Sequence, residues 1–297
     1  MNLSLDTSQI ASCAQRIVQI LAREHHSRSG LFPERLHAAA EFVEREFQAL
    51  GYAVESQRYI SEGSTVRNLI AELPGKDHSK PVIIVGAHYD TVPGTPGADD
   101  NASGVAGLLE LARLLRGTSW SRTIKFVAFT HEEPPYFYTS QMGSRQYAKM
   151  LKRENQKVLV MFSLEMIGYA GEHMKQMYPF VLLRQLKGYP KNGSFIGLVG
   201  NVRTMRLVKF VRTAMRESCS VGVESLSAPG FLPPLFLSDH SSFWRRGYPA
   251  IMVTDTAFMR NPHYHLPSDM DGTINYSFLA EVVAGLCAAV LALDGSV

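Results

Sequence analysis

A chain of 297 residues with a net charge of +3 and no basic tract gives no electrostatic reason to expect nucleic acid or an anionic membrane as a partner. Its 45% hydrophobic content supplies a core, and its 19% charged content is that of an ordinary soluble protein. Three cysteines, Cys13, Cys219 and Cys287, cannot all pair and none sits in a Cys-x-x-Cys, so they read as reduced, packed thiols.

The N-terminus lacks the basic start and apolar centre of a signal peptide, so the expected location is the cytoplasm. Residues Ser8 to Glu24 place Ile10, Ile17, Ile20 and Leu21 on one helical face. A second helix is predicted from Pro33 to Leu50, with a proline in its first turn and Gly51 at its close. His25, His26 and His37 match no ligand spacing and read as surface residues. Ala53 to Ile60 and Val66 to Leu73 read as strands around a turn at Ser61 to Ser64.

Val82 to Val85 is an apolar, β-branched run with the length of one buried strand. It stops at His88-Tyr89-Asp90, where an extended chain leaves the His and the Asp on the same side. A loop rich in Pro and Gly leads to Asp99-Asp100-Asn101-Ala102-Ser103-Gly104 and then to an amphipathic helix, Val105 to Leu115. A His and a carboxylate at a strand end suit a divalent metal. Open α/β sheets hold their sites beyond the carboxyl ends of their strands. One such Asp would read as a solvated turn; His-x-Asp and Asp-Asp in one strand-to-helix loop read as a site. Thr123 to Thr130 is another β-rich run and ends in His131-Glu132-Glu133. After a helix over Met142 to Glu154, Lys157 to Leu164 is a third strand, ending in Glu165. Three strand ends bearing His/Asp, Glu/Glu and Glu make a constellation.

Gly171 to Gly193 shows no clean period and is expected to be an insertion or lid-like excursion. Ser194 to Val199 reads as a strand and Arg203 to Glu217 as a helix. Pro229 to Leu237 is an apolar loop followed by Ser238 to Trp244, and both core packing and a cleft wall are open readings for it. Pro249 to Thr254 is one more strand, followed by Asn261 to Asp269 with His263 and His265. The last helix, Tyr276 to Leu293, turns Leu279, Val282, Val283, Leu286 and Val290 inward. Its most apolar part, Ala284 to Leu293, falls short of the ~20 residues a bilayer span needs. Strands alternate with helices to the end, without repeats or a linker. The expectation is one α/β domain over residues 1–297, a three-layer αβα sandwich with a mixed, mostly parallel sheet and the N-terminal helices of residues 8–50 packed on it.

Five motifs in order, GAHYD, GADDNASG, HEEP, SLEMIG and NPHYHLPSD, make the chain resemble the M28 zinc metallopeptidases, the bacterial leucine-aminopeptidase-like group, from Val66 to Ala288. The resemblance implies a zinc-exopeptidase-like fold and two zinc ions; a single ion stays open because Glu165 stands where Asp is commoner. It implies His88, Asp99, Glu133, Glu165 and His265 as metal ligands, with Asp99 bridging and Asp100 the partner of an unusual peptide bond. Asp90 would hold the His88 ring in the right tautomer. Glu132, the neighbour of a ligand, would be the general base for attack by a zinc-bound hydroxide and would then pass the proton to the leaving amine. His263 competes for the last ligand position; His265 is preferred because it lies four residues before Asp269.

The leading expectation is therefore a zinc-dependent exopeptidase, an aminopeptidase acting on peptides. Phe231, Leu232, Phe236, Phe243 and Trp244 are candidates for an apolar side-chain pocket, with His240 hydrogen-bonded in its wall. Cobalt or manganese would fit the same donors. The alternatives are a glutaminyl-cyclase-like acyltransferase with one zinc and a non-catalytic domain of the same fold. A complete ligand set counts against both.

Overall fold

The computed structural model describes residues 5–117, 119–178, 184–185, 187–229 and 236–295. These residues form an eight-stranded sheet made of β1 (Val54–Ser61), β2 (Ser64–Leu73), β3 (Val82–His88), β4 (Ile124–Phe129), β5 (Val158–Glu165), β8 (Phe195–Asn201), β9 (Gly222–Ala228) and β10 (Ala250–Thr254). Side by side the order is β1-β2-β4-β3-β5-β10-β8-β9. The block β4-β3-β5-β10 is parallel, and β2 and β8 join it antiparallel on either side. Parallel strands covered on both faces lose the in-out alternation of polarity, which is why β3, β4, β5 and β10 read as unbroken apolar runs. A separate two-stranded ribbon, β6 (Gly171–Lys175) with β7 (Asn192–Gly193), occupies the region expected to be an excursion. Residues 179–183 and 186 of that region lie outside the described residues.

Alternate side chains of each central strand sort into two cores. Ile83, Val85, Phe126, Val160, Phe162 and Ile251 pack under α1 (Thr7–Gln19), α2 (Pro33–Ala49), α3 (Gly104–Leu115), α5 (Met205–Arg216) and α7 (Tyr276–Asp294). Ile84, Val127, Phe129 and Met161 face α4 (Gly143–Arg153) and α6 (His240–Arg245) on the other side. The result is the three-layer sandwich expected from the sequence. α1 starts where Asp6 accepts the N–H groups of Ser8 and Gln9, at 3.0 and 3.1 Å, satisfying two orphan donors of the first turn. α7 has 19 residues and a mean hydropathy of 2.0, so by length and composition it could cross a membrane. The apolar stretch is longer than Ala284 to Leu293 suggests, because it begins near Tyr276, and it packs against α1, α3 and α5.

The sheet register sets up the site. Gly86 pairs with Ser163 across the parallel β3–β5 ladder. Two residues further along both strands lie His88 and Glu165, at the carboxyl ends and on the same face. Glu165 also pairs with Thr254 at the end of β10. Strand geometry alone therefore delivers an imidazole and a carboxylate to one point.

Candidate metal centre

At that point His88 is fully buried, and its Nε2 lies 3.4 Å from Asp100 Oδ1, 3.4 Å from Glu165 Oε2 and 3.9 Å from Glu132 Oε2. His265 Nε2 lies 3.1 Å from Asp100 Oδ2 and 3.3 Å from Glu133 Oε2. Asp100 thus turns one oxygen to each imidazole. Two donor sets result, His88–Asp100–Glu165 and Asp100–Glu133–His265, and a third grouping joins His88, Glu132 and Glu133. His88 Nε2, Asp100 Oδ1 and Glu133 Oε1 are buried without a hydrogen-bond partner. Buried polar atoms are otherwise paired almost without exception, so a converging group of them fits a cation.

The electrostatics agree. Burial works against charge on His88, yet Glu165 and Glu132 beside it hold its pKa well above the ordinary imidazole value. Burial, opposed by His88 and reinforced by Glu165 and Glu133, pushes Glu132 well above the carboxylate range. Burial and the Asp100 charge push Glu133 up to about 8. His265 rises to about 10, because hydrogen bonds to Asp100 and Glu133 outweigh its burial. Two adjacent buried glutamates that resist ionising are what a divalent ion neutralises.

The Asp99–Asp100 pair corrects one expectation: the carboxylate between the imidazoles is that of Asp100, and Asp99 points away. Asp99 accepts from Gly168 N at 3.0 Å and from Asn261 Nδ2 at 2.8 Å. The turn is set by Asp269, whose two oxygens take the backbone N–H groups of Asp99 and Asp100 at 2.9 and 3.0 Å. The Asp100–Asn101 peptide is cis. Asn101 then ties the turn to β5, donating to Leu164 O at 2.8 Å and accepting from Met166 N at 3.0 Å. Gly104 is required where α3 begins, since a Cβ there would stand 2.7 Å from Leu164 O.

Asp90 reaches the site through its neighbours. His88 Nδ1 is hydrogen-bonded to the Asp90 backbone carbonyl at 3.2 Å and lies 3.6 Å from Asp90 Oδ1, while Asp90 Oδ1 and Oδ2 accept the N–H groups of Glu132 and Glu133, both at 3.1 Å. Asp90 thus ties the end of β3 to the backbone of the two glutamates. Glu165 accepts from Ser238 Oγ at 2.7 Å. His131, Met166 and His265 carry left-handed φ values of 56°, 52° and 59°. Non-glycine residues held this way gather at functional sites. His263 stands apart, 3.0 Å from Ser268 Oγ.

Sequence reasoning passed over Arg28, which is fully buried. It donates to four backbone carbonyls: Tyr89 at 2.6 Å, Leu21 at 3.1 Å, Pro96 at 2.7 Å and Gly97 at 2.8 Å. Its only sequence signal is a basic residue in a Ser-Arg-Ser step between two helices, which solvent exposure would explain as well.

The apolar pocket differs from the expected one. Beside Glu165 and Tyr264 opens a cavity of about 170 Å³ whose walls include Phe195, Leu198, Leu226, Leu237, Met252 and Phe258. Tyr178 and Tyr189, from the segment between β6 and β7, help close it, their rings stacked at 5.9 Å. Of the expected lining, Phe231 and Leu232 lie outside the described residues. Phe243 packs in the core against Phe129 and Tyr147, at 6.2 and 6.3 Å. Trp244 stands edge-on to Phe236 and His240 and donates to Ala250 O at 3.0 Å. None of Phe236, His240, Phe243 and Trp244 lines the cavity: α6 turns Phe243 onto the sheet, and His240 and Phe236 pack against Trp244.

Residues 68–290 match the family model for peptidase family M28. The chain is 41% identical over 281 residues to the uncharacterized protein YfbL of Escherichia coli (strain K12), covering 92% of this chain and 85% of that one. It is 28% identical to leucine aminopeptidase 1 of Trichophyton rubrum over 82% of its own length, and it spans 64% of that relative's length. Among solved structures, the zinc aminopeptidase BSAP of Bacillus subtilis superimposes with a TM-score of 0.73 at 18% identity, covering 95% and 94% of the two chains. A Bacteroides thetaiotaomicron glutaminyl cyclase bound to N-acetylhistamine gives 0.69 at 19% identity, covering 94% and 97%. Likeness at these identities speaks to the fold alone.

Proposed function

Because the chain belongs to peptidase family M28, we propose that this peptidase is a zinc-dependent aminopeptidase that removes bulky apolar residues from peptide N-termini. The observation that carries the reading is Asp100, which offers one oxygen to each of two His-and-carboxylate donor sets. His88, Asp100 and Glu165 would hold one zinc ion, and Asp100, Glu133 and His265 the other. Imidazole with carboxylate is a donor set suited to zinc. Bound there, two zinc ions would polarise the scissile carbonyl and activate a water for attack on it.

The remaining work falls to the chain's own residues. Glu132 lies outside both donor sets that share Asp100, and its carboxylate faces the gap beside His88. It takes the proton of the attacking water and gives it to the leaving amine. Asp90 holds Glu132 and Glu133 by their backbone N–H groups and fixes the His88 ring, so base and ligands keep one geometry. The cavity beside Glu165 and Tyr264 receives the apolar side chain of the residue to be released.

The test is metal content and turnover of aminoacyl-nitroanilides by wild type and Glu132→Gln. The expected result is two zinc ions in both proteins and a kcat about 10²–10⁴-fold lower in the variant, the usual range for a lost general base. Leucyl and phenylalanyl substrates should exceed glycyl ones. One zinc per chain, no amide cleavage and release of pyroglutamate from N-terminal glutamine would instead identify a cyclase, the reading that Glu165 keeps open. Full zinc loading with no turnover on any substrate would identify a binding domain.

A further inference from the structure

α4 and α6 leave between them a second cavity, of about 440 Å³, lined by Arg145, Lys149, Arg245 and Arg246 with Ser140 and Ser242. Such a volume lies within the ~300–1,000 Å³ of small-molecule sites. No acid lines it. The ion pairs of the described residues, such as Arg23–Asp271 and Arg212–Glu224, include none of its four cations. Arg145 and Arg245 both lie over the ring of Tyr138, at 5.8 and 5.7 Å from its centroid. Arg145 donates one N–H to the carbonyl of Tyr138, while its Nε and Nη2 are buried without an acceptor. Burial and then the neighbouring Arg245 charge lower the Arg145 pKa, the mark of a cation short of a counter-ion.

One aromatic face attracts a guanidinium only weakly and supplies no acceptor for N–H groups. Two guanidiniums brought to the same ring, with buried donors unspent, form half of a charge-assisted contact. We propose that this cavity binds a small oxyanion, a phosphate or a carboxylate, seated between Arg145 and Arg245 and within reach of Lys149 and Arg246. The site is distinct from the metal centre but is tied to it along the chain. Tyr138 lies five residues beyond Glu133, has a left-handed φ of 60° and donates its hydroxyl to Phe236 O at 2.6 Å. The anion therefore docks on the segment that begins with the catalytic glutamates. It can arrive as free phosphate or as a carboxylate carried on the leaving portion of a peptide.

Both sources are open to test. Calorimetric titration of the zinc-loaded and the zinc-stripped protein with inorganic phosphate, at an ionic strength fixed with chloride, should show saturable binding in both states. Arg245→Gln, at an exposed position, and Arg145→Gln should each weaken it about tenfold, the loss expected for one charge-assisted contact. Arg203→Gln, outside the cavity, should leave it unchanged. The second arm compares peptides with N-terminal leucine that carry Glu or Gln after the scissile bond. If the ligand is a substrate carboxylate, KM for the Glu peptide rises about tenfold in Arg245→Gln while kcat and the Gln peptide are unaffected. If it is free anion, phosphate binding is lost and the Glu/Gln ratio stays constant. The proposal is overturned if neither phosphate binding nor that ratio responds to Arg245→Gln, or if phosphate binds only with zinc present and equally in all variants. The peptide arm rests on the aminopeptidase reading and the titration does not, so their failures are told apart.

Discussion

At the scale of single residues, Asp99 and Asp100 show what decides a site. Both are acids in one loop, and the motif reads the same whichever one faces the imidazoles. The choice is made by Asp269, more than 160 positions away in sequence, which takes both backbone N–H groups and rolls the Asp100 carboxylate inward. No local pattern carries that information. His88, Glu132, Glu133 and Glu165 were legible because each ends or directly follows an apolar strand, and register then brings them together. Asp100→Asn should accordingly weaken zinc retention by more than about 100-fold, beyond what orienting groups give, whereas Asp99→Asn should cost about tenfold or less. Chelator competition followed by metal analysis would measure both. A larger loss in Asp99→Asn than in Asp100→Asn would return the shared position to Asp99.

At the scale of elements, the sequence exposes what is buried on two sides and conceals what is not. β3, β4, β5 and β10, and helices α2 and α7, stand out by apolar runs or helical period. β9, with Ser225, Ser227 and Glu224 half-exposed at the sheet edge, gives neither signal. The short α6 is masked by Ser241 and Ser242, and the direction of its aromatic rings onto the sheet is a tertiary outcome. The connection before α2 is the least legible and has large consequences, since Arg28 pins the carbonyls of Tyr89 and Gly97, which flank the His88 and Asp100 segments. Arg28→Met keeps most of the volume and removes every donor. It should lower stability by about 3 kcal/mol, because several buried carbonyls lose their partner. It should also weaken zinc binding about 10–100-fold, as the loss of a supporting group does. Denaturant melts and a zinc titration of the folded variant separate the two effects; normal zinc affinity in a destabilised variant would make Arg28 a packing residue only.

At the scale of the whole molecule, the centre draws on β3, β4, β5 and the segment before α7, so its occupancy should be felt by the entire fold. Zinc present at 100 times its dissociation constant would add about 2.7 kcal/mol to unfolding. Chelation should therefore lower the Tm by roughly 3–8 °C, reversibly on zinc addition. Scanning calorimetry with and without chelator checks this, and an unchanged Tm would mean that the donors do not hold metal in solution. The two donor sets also differ in the dimension of time. His88, Asp100 and Glu165 have all been synthesised once Glu165 has left the ribosome, but the set containing His265 waits for one hundred further residues. At about 5–20 residues per second that wait is roughly 5–20 s. For most of it β10, the strand that flanks β5, does not yet exist. Translation itself thus ranks the two sets in order of completion, His88–Asp100–Glu165 before Asp100–Glu133–His265.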